Sequence, residues 1–303
     1  NLPTPAIINP DDHFHSVVVD HDGSSTASTC TFNLDTYEWL AIIKNVDSVE
    51  KWYWINSLRG VTKYFQSNAH AAEVTDANVL TVSGTTFTLG STLLADDYII
   101  EIHKAGLASA TASNEEGSIN TIATSANTTS GFALSTFTGT GANATIGHGL
   151  ESAPEFVIHK GAVDTNSALC YHVGFTDATY YMFLASTAAQ TVAATVWNST
   201  APSPTLISVG SSSGSNDGSQ VNISISWHGV DGYSAFTART GNAASDGSFG
   251  NTGMAPQKVL IKRRDGVNNW TQFDNIRRPN NEQAYVIILD STYLEQSPAN
   301  VRI

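Results

Sequence analysis

The sequence predicts an all-β protein of tandem antiparallel β-sandwich repeats, jelly-roll or lectin-like, with little helix. Two observations lead to this prediction. First, the stretch 132–160 has a near copy at 233–262, and each copy opens on an aromatic residue after a glycine and closes on an apolar run that ends in lysine. Second, apolar residues fall in short runs between clusters of Gly, Ser, Thr and Asn, with almost no helical periodicity, which is typical of sandwiches and barrels.

A third, weaker copy spans 14–44 and lacks the proline that precedes the closing run in the other two. The positions that recur at one register are Lys44, Lys160 and Lys262, then Trp52 and Trp270, and then Arg59 and Arg277. The middle copy has Phe175 where the arginine would be. Recurrence within one chain reflects what the repeat needs, so we expect structural roles, with each lysine stem lying near an aromatic ring.

The repeats divide the chain into five parts: a linker (1–13), repeat 1 (14–104), a Ser/Thr/Ala-rich linker (105–130), repeat 2 (131–230) and an incomplete repeat 3 (231–303). Prolines mark the first linker, and too few apolar residues for a core mark the second. Repeats 1 and 2 are long enough for a core of their own, so we expect beads on a string. Repeat 3 stops before its closing strand, so we expect either a fragment or a strand supplied by a partner chain.

Taken in order, the strands follow short β-branched and aromatic runs. We expect them at 16–19, 39–43, 52–55, 63–65, 87–89, 98–103, 180–184, 221–228 and 285–289. The run 221–228 alternates clearly, which places Val221, Ile223, Ile225 and Trp227 on one face.

Composition excludes several classes of function. The 303 residues include 14 Lys and Arg against 27 Asp and Glu, a net charge of −13, which disfavours nucleic-acid binding and docking on anionic membranes. No apolar run reaches the roughly 18 residues of a membrane span, so we expect no membrane insertion. The start lacks the basic region of a signal peptide and does not look like a native N-terminus. Cys30 and Cys170 lie in different repeats, so we expect free, buried thiols.

Several local motifs are specific enough for comparison with a known family. They are the Phe- or Tyr-initiated strand, the Gly-Thr-Gly-Ala-Asn loop at 139–143, the His-Gly-Leu step at 148–150, the Val-Ile-x-Lys end at 157–160 and the segment 197–202. These motifs resemble the repeats of tail-fibre-like virion proteins of marine tailed bacteriophages. The resemblance covers nearly the whole chain, although repeat 1 lacks the Gly-Leu-x-x-x-Pro step. It implies a structural protein and offers no catalytic residue.

Aromatic residues are the best candidates for sugar contact, because their faces stack on pyranose rings. Most aromatics should nevertheless be core, since they dominate burial. Tyr53, opposite the buried face of its strand, and Trp197, expected in a loop, are the two candidate glycan-binding residues.

Other chemical candidates have simpler explanations. His148 has no Gly-x-Ser-x-Gly nucleophile motif beside it, so a turn histidine is expected. His13, His15 and His21 could meet a transition metal on a strand, but their spacing matches no zinc signature, so no metal site is predicted.

Acidic residues give no site either. The Asn-Asp-Gly sequence at 216–218 and Asp246-Gly247 resemble parts of calcium loops, but turn chemistry explains them. The pairs Glu115-Glu116 and Asp96-Asp97 are adjacent in sequence and do not provide the spaced carboxylates of a glycosidase.

We therefore expect a non-enzymatic, extracellular virion protein such as a phage tail fibre. By analogy with the family that the repeats resemble, its expected partners are further copies of itself in a homotrimer that buries apolar strand faces, other virion proteins, and host-surface glycan. No cofactor is predicted. The alternatives left open are a capsid-decorating fibre, a bacterial surface filament or adhesin, and a glycan-degrading tailspike enzyme, which would need carboxylates converging in a groove.

Overall fold

Runs of β-branched and aromatic residues form the strands, and clusters of Gly, Ser, Thr and Asn form the turns between them. The computed structural model describes residues 5–242, 250–277 and 285–296. It is 40% strand and 6% helix, in several antiparallel sheets, so the prediction of an all-β sandwich fold is confirmed. In the described ranges, no helix combines the length and the hydropathy of a membrane span.

Unit 1, the first repeat, is a six-stranded sheet covered by a three-stranded one. Its strands are β1 (Phe14–Asp20), β2 (Thr26–Thr29), β3 (Tyr37–Asn45), β4 (Trp52–Asn56), β5 (Lys63–Phe65), β6 (Val74–Thr75), β7 (Leu80–Ser83), β8 (Thr86–Leu89) and β9 (Asp97–Leu107). The large sheet has the order β1-β9-β3-β4-β5-β6, and β2-β8-β7 covers its outer face. Short 3₁₀ turns occur at Pro10–Asp12, Ser57–Arg59 and Ala108–Ala110.

Unit 2, the second repeat, also has one large antiparallel sheet, but a two-stranded sheet and two short helices pack on its outer face. Its elements are β10 (Thr121–Asn127), β11 (Phe132–Thr138), β12 (Ala144–Gly147), β13 (Phe156–Gly161), β14 (Leu169–His172), β15 (Tyr180–Phe183), β16 (Thr191–Val192), α1 (Ala194–Trp197), β17 (Leu206–Val209), α2 (Ser213–Asn216) and β18 (Val221–Trp227). The large sheet has the order β10-β11-β18-β13-β14-β15-β16, and β12 pairs with β17.

Unit 3 contains one three-stranded sheet among its described residues. It has the order β19-β20-β21, formed by β19 (Lys258–Lys262), β20 (Trp270–Asp274) and β21 (Ile287–Ile288). The strand register shows that units 1 and 3 are equivalent, because Lys44 lies opposite Trp52 in unit 1 and Lys262 lies opposite Trp270 in unit 3. The order β19-β20-β21 therefore corresponds to β3-β4-β5 in unit 1 and to β13-β14-β15 in unit 2.

The large sheets of units 1 and 2 and the three-stranded sheet of unit 3 share one hydrophobic core through their inner faces, and we call it the central core. Unit 1 contributes residues such as Leu40, Ile42, Trp52, Trp54 and Phe65; unit 2 contributes Leu134, Ile158, Cys170, Met182, Ile223 and Ile225; unit 3 contributes Trp270, Ile287 and Leu289. Each outer face packs in a separate cluster. Strands β3 and β13 are therefore buried on both faces, which explains their uninterrupted apolar runs.

Three equivalent backbone hydrogen bonds close the units into a ring. The N–H of Glu73 in unit 1 donates to the carbonyl of Ala162 in unit 2 at 2.7 Å, and the N–H of Gln190 in unit 2 donates to the carbonyl of Arg264 in unit 3 at 2.8 Å. The third bond runs from Glu295 of unit 3 to Val46 of unit 1 at 2.8 Å. Each acceptor lies two residues after the recurrent lysine, so the chain has pseudo-threefold symmetry with repeated head-to-tail contacts.

This ring differs from the predicted beads on a string. Each sheet is apolar on both faces, and the inner face can be covered only by the other units. The stretch 105–130 also differs from the predicted linker. It contains the end of β9 and the whole of β10, which pairs with β11 from Asn127 opposite Phe132 onward. Its Ser and Thr residues bond to one another and to the sheet, as Thr124 does to Ser135 at 3.0 Å.

The recurrent glycines and lysines meet specific needs of the repeat. Gly131 and Gly232 have φ of 70° and 74°, in the left-handed region where glycine carries no steric cost. Lys44 and Lys160 are buried, and their ammonium groups donate to loop carbonyls of Glu50 and Asp164, both at 2.9 Å. Burial lowers the pKa of Lys44 to about 8. These contacts are structural, as expected, and the ammonium of Lys160 also forms an ion pair with the Asp164 carboxylate at 2.8 Å.

Other predictions about buried residues also hold. Cys30 and Cys170 are free and buried. On β18, Ile223 and Ile225 point into the central core and Trp227 packs against it, as the alternation predicts.

Candidate binding site

A cleft in unit 2 is the candidate binding site. It has a volume of about 270 Å³ and lies between the edge of the large sheet and the two short helices. Its lining residues are Asn166, Leu169, Tyr181, Phe183, Ala193, Thr195, Val196, Ser212, Ser213 and Gly214. Apolar groups form its base, while an amide and three hydroxyls surround its opening.

Local backbone bonds hold the two helices in place at the cleft. Helix α1 ends where Asn198 takes the left-handed conformation, with φ of 48°. The N–H of Ser212 donates to the carbonyl of Thr195 at 2.9 Å, and the buried Ser215 hydroxyl donates to the carbonyl of Val196 at 2.6 Å. These bonds fix α2 against α1. A Cβ at Gly214 would lie 2.9 Å from the side chain of Leu169, so glycine allows the close approach of α2 to the sheet.

The side chains of the cleft provide an aromatic ring and uncharged hydrogen-bonding groups. Tyr181 meets Phe183 edge to face with ring centroids 5.1 Å apart. Burial raises the pKa of Tyr181, so its phenol stays protonated and can donate a hydrogen bond at neutral pH. Asn166 is exposed, and its amide lies 3.3 Å from the Ser213 hydroxyl. Tyr181 is the one ionisable side chain among the ten lining residues, which suits an uncharged, polar ligand.

Tyr53, predicted to contact glycan, is only 2% exposed. Its ring packs on Tyr64 with centroids 4.9 Å apart, and the ammonium of Lys51 lies 5.3 Å from its ring centre. The prediction assumed that one face of its strand is open to solvent. Strand β4 is instead buried on both faces, because the central core covers one side and the outer core of unit 1 covers the other.

Trp197 is also only 2% exposed, so its ring cannot stack on a sugar. It ends helix α1 and points away from the cleft into the outer core of unit 2, edge-on to His159 at 5.1 Å and to Tyr171 at 6.0 Å. The prediction placed it in a loop. Its neighbour Val196 lines the cleft, whereas Trp197 does not.

The other aromatics are mainly core, as expected: Trp39, Trp52, Trp54 and Trp270 are buried, and Trp227 is partly buried.

Three of the four histidines considered for catalysis or metal binding have hydrogen-bond partners in the fold. The Leu150 N–H donates to Nδ1 of His148 at 3.2 Å, and Nε2 of the same ring lies 3.2 Å from the Ser203 carbonyl. His13 and His21 bond Asn127 and Thr26, both at 2.9 Å. Across the described ranges, no group of three or more His, Cys, Asp or Glu is placed to hold a metal.

The acidic and amide residues considered for calcium or catalysis also stabilise loops. The Asn216 side-chain oxygen accepts the Thr140 N–H at 2.8 Å, so Asn216 joins the end of α2 to the distant loop at 139–143 and does not make the local turn bond that the sequence predicts. Asp96 accepts the Asn45 amide at 2.8 Å, and burial beside Asp47 raises the pKa of Asp97. Asp246 lies outside the described residues.

Sequence reasoning missed most of the cleft. The sequence predicts only a strand at Tyr181, and the serines at 211–213 lie in a run of small polar residues that is typical of a turn. The sequence did contain one signal, since a cluster of small residues beside a strand allows close backbone approach. The cleft forms only where four separate segments of the chain come together. Local sequence patterns do not predict which distant segments will be neighbours.

The comparisons with known proteins give a family but no activity. Residues 9–302 match a family described as a domain of unknown function (DUF7483). No curated protein and no solved structure matches the chain significantly. The match extends across all three units of the ring. The chain therefore belongs to the DUF7483 family.

Proposed function

We propose that this chain is a structural and adhesive part of a virion appendage, such as a phage tail fibre, and that the cleft of unit 2 contacts host-surface glycan. The support is the chemistry of the cleft. A neutral glycan offers hydroxyl groups that match Asn166, Thr195 and the two serines, and ring faces that match Tyr181.

The size of the cleft fits this proposal. Ligand pockets typically measure about 300–1,000 Å³, and a cleft of about 270 Å³ lies just below this range, which suits a small ligand such as a single sugar ring. The ring of three units supports the structural part of the proposal. A shared core and repeated contacts give a rigid body that carries a shallow binding surface.

The proposed assembly is a homotrimer, by analogy with the virion proteins that the repeats resemble. The inner sheet faces are buried within each chain. Contacts between chains would therefore use outer surfaces, in place of the apolar faces first expected. Light scattering should give three times the chain mass of 32.2 kDa, and a monomeric mass would count against the trimer.

Glycan binding can be tested with the purified chain on a panel of bacterial surface glycans. A double variant, Asn166→Ala with Thr195→Ala, removes polar groups at two exposed cleft positions. We expect at least tenfold weaker binding. Thr187→Ala with Asn275→Ala changes the same residue types at exposed sites outside the cleft and should bind as the wild type does. Equal binding by both variants, or no binding to any glycan, would reject the proposal.

A further inference from the structure

The lysine-bearing strand has two partners in units 1 and 2 but one among the described residues of unit 3. Strand β3 lies between β4 and β9, and β13 lies between β14 and β18. Their counterpart β19 pairs with β20, and its other edge carries no strand within 5–242, 250–277 and 285–296. An edge of this kind presents backbone N–H and C=O groups that can pair with an added strand.

The burial of β19 differs in the same way from that of its counterparts. Residues 40–44 of β3 and all of β13 are buried, whereas every residue of β19 is partly exposed. Val259, Leu260 and Ile261 are aliphatic at positions where units 1 and 2 bury their side chains. The sequence of β19 is thus typical of a central strand, whereas the solvent exposure of its residues is typical of an edge strand.

Units 1 and 2 show which kind of strand fills this position. Strand β9 runs antiparallel to β3 with Ile99 opposite Lys44. Strand β18 runs antiparallel to β13 with Ile223 opposite Lys160 and Ile225 opposite Ile158. An occupant of unit 3 would follow the same plan, with an aliphatic residue opposite Lys262 and aliphatic or aromatic residues at alternate positions on its inner face.

We propose that the free edge of β19 is a strand-acceptor site that binds an extended segment of another polypeptide, antiparallel, with aliphatic residues at alternate positions. Backbone pairing would provide affinity, and the partly covered inner face would provide selectivity for the alternating pattern. This site is separate from the cleft of unit 2 and does not depend on the proposed glycan binding.

Hydrogen exchange, followed by mass spectrometry on the intact 303-residue chain, can test the site. The probe is a synthetic peptide with the sequence of Val221–Trp227, extended at one end by lysines for solubility. We expect saturable binding and at least tenfold slower exchange in the segment that covers Lys258–Lys262. Strand β3 is a control within the same molecule, since its edge is filled by β9 and its exchange should not change.

A second peptide of the same composition, with the alternation scrambled, is the matched control and should bind at least tenfold more weakly. Equal binding of both peptides, or binding without protection of β19, would overturn the proposal. Exchange at β19 as slow as at β3 before any peptide is added would also overturn it, because the edge would then already be filled by the chain itself.

Discussion

Trp52 and Trp270 make the same contact at two boundaries of the ring. The indole N–H of Trp52 donates to the carbonyl of Ile288 in unit 3 at 2.9 Å, and that of Trp270 donates to the carbonyl of Phe183 in unit 2 at 3.0 Å. Unit 2 has Ala168 at this register, so its boundary with unit 1 lacks this bond. The recurrent tryptophan therefore joins neighbouring units.

The contribution of this contact to stability can be measured by comparison with Trp54, which lies on the same strand as Trp52. Trp52→Phe should reduce the free energy of unfolding by about 1–2 kcal/mol more than Trp54→Phe does, because it removes the indole hydrogen bonds to the carbonyls of Ile288 and Ser291. Both indoles lie in the central core, and the Trp54 N–H has no hydrogen-bond partner. Urea unfolding of the two variants provides the comparison. Equal losses would show that the indole bond contributes nothing.

His159 should make stability depend on pH in the acid range. It is buried against Phe137 and Trp197, and burial lowers its pKa from 6.5 to about 4. Between these values the unfolded chain binds a proton that the folded chain does not. Stability therefore falls as the pH drops from about 6.5 to 4, by up to about 1.4 kcal/mol per pH unit, and is independent of this group above that window.

The variant His159→Leu isolates this effect. Its free energy of unfolding, measured by urea titration at several pH values, should fall less steeply than that of the wild type between pH 4 and 6.5. Above pH 7 the two curves should run parallel, which is the internal control. Parallel curves across the whole range would contradict the buried, neutral histidine.

For single residues, the sequence predicted well which positions recur at the same register in each repeat. It predicted poorly which side chains are exposed to solvent. Lysine recurs in all three units, and tryptophan and glycine each recur in two of them, because these positions need the same side-chain donor, indole or left-handed turn. The exposure of Tyr53 could not be predicted from β4, because it depends on whether a second layer covers the other face of the strand.

Pairs of residues on the connections between strands explain why unit 2 departs from the repeat. Arg59 pairs with Glu73 at 2.8 Å in unit 1, and Arg277 pairs with Glu295 in unit 3. The same glutamates donate the ring-closing N–H groups. In unit 2, Gln190 donates that bond, and Phe175 occupies the arginine position. Unit 2 therefore contains neither partner of this ion pair.

A double-mutant cycle tests this coupling. Glu73→Gln alone should cost about 1–2 kcal/mol, because it leaves the partly buried Arg59 unpaired. Adding Arg59→Phe reproduces the arrangement of unit 2, and the double variant should lose about 1 kcal/mol less than the sum of the single losses. The exposed pair Arg263 and Asp265 is the control and should show no measurable coupling. Additive losses in the buried pair would reject the account.

The loss of the arginine in unit 2 was visible in the sequence, but the loss of its partner was not. Glu73, Gln190 and Glu295 lie at different distances from their lysines because the connections differ in length. Strand β10 was missed for a related reason. It has few large apolar residues, and its place is set by pairing with β11 and by Ser and Thr hydrogen bonds.

The whole molecule is a closed ring whose central core belongs to no single unit. Buried Glu101 of unit 1 illustrates this, since it accepts hydrogen bonds from Gln272 at 2.7 Å and Lys258 at 2.5 Å, both in unit 3. The sequence predicted the strands and their apolar faces. It did not predict which unit covers which face, because that cover comes from residues more than one hundred positions away.

Differential scanning calorimetry of the intact chain tests the closed ring most directly, since it compares the calorimetric enthalpy of unfolding with the van't Hoff enthalpy. A shared core and three closing contacts predict one transition, with a ratio of the two enthalpies of about 1. Two or three resolved transitions, or a calorimetric enthalpy well above the van't Hoff value, would show that the units unfold independently and would contradict the ring.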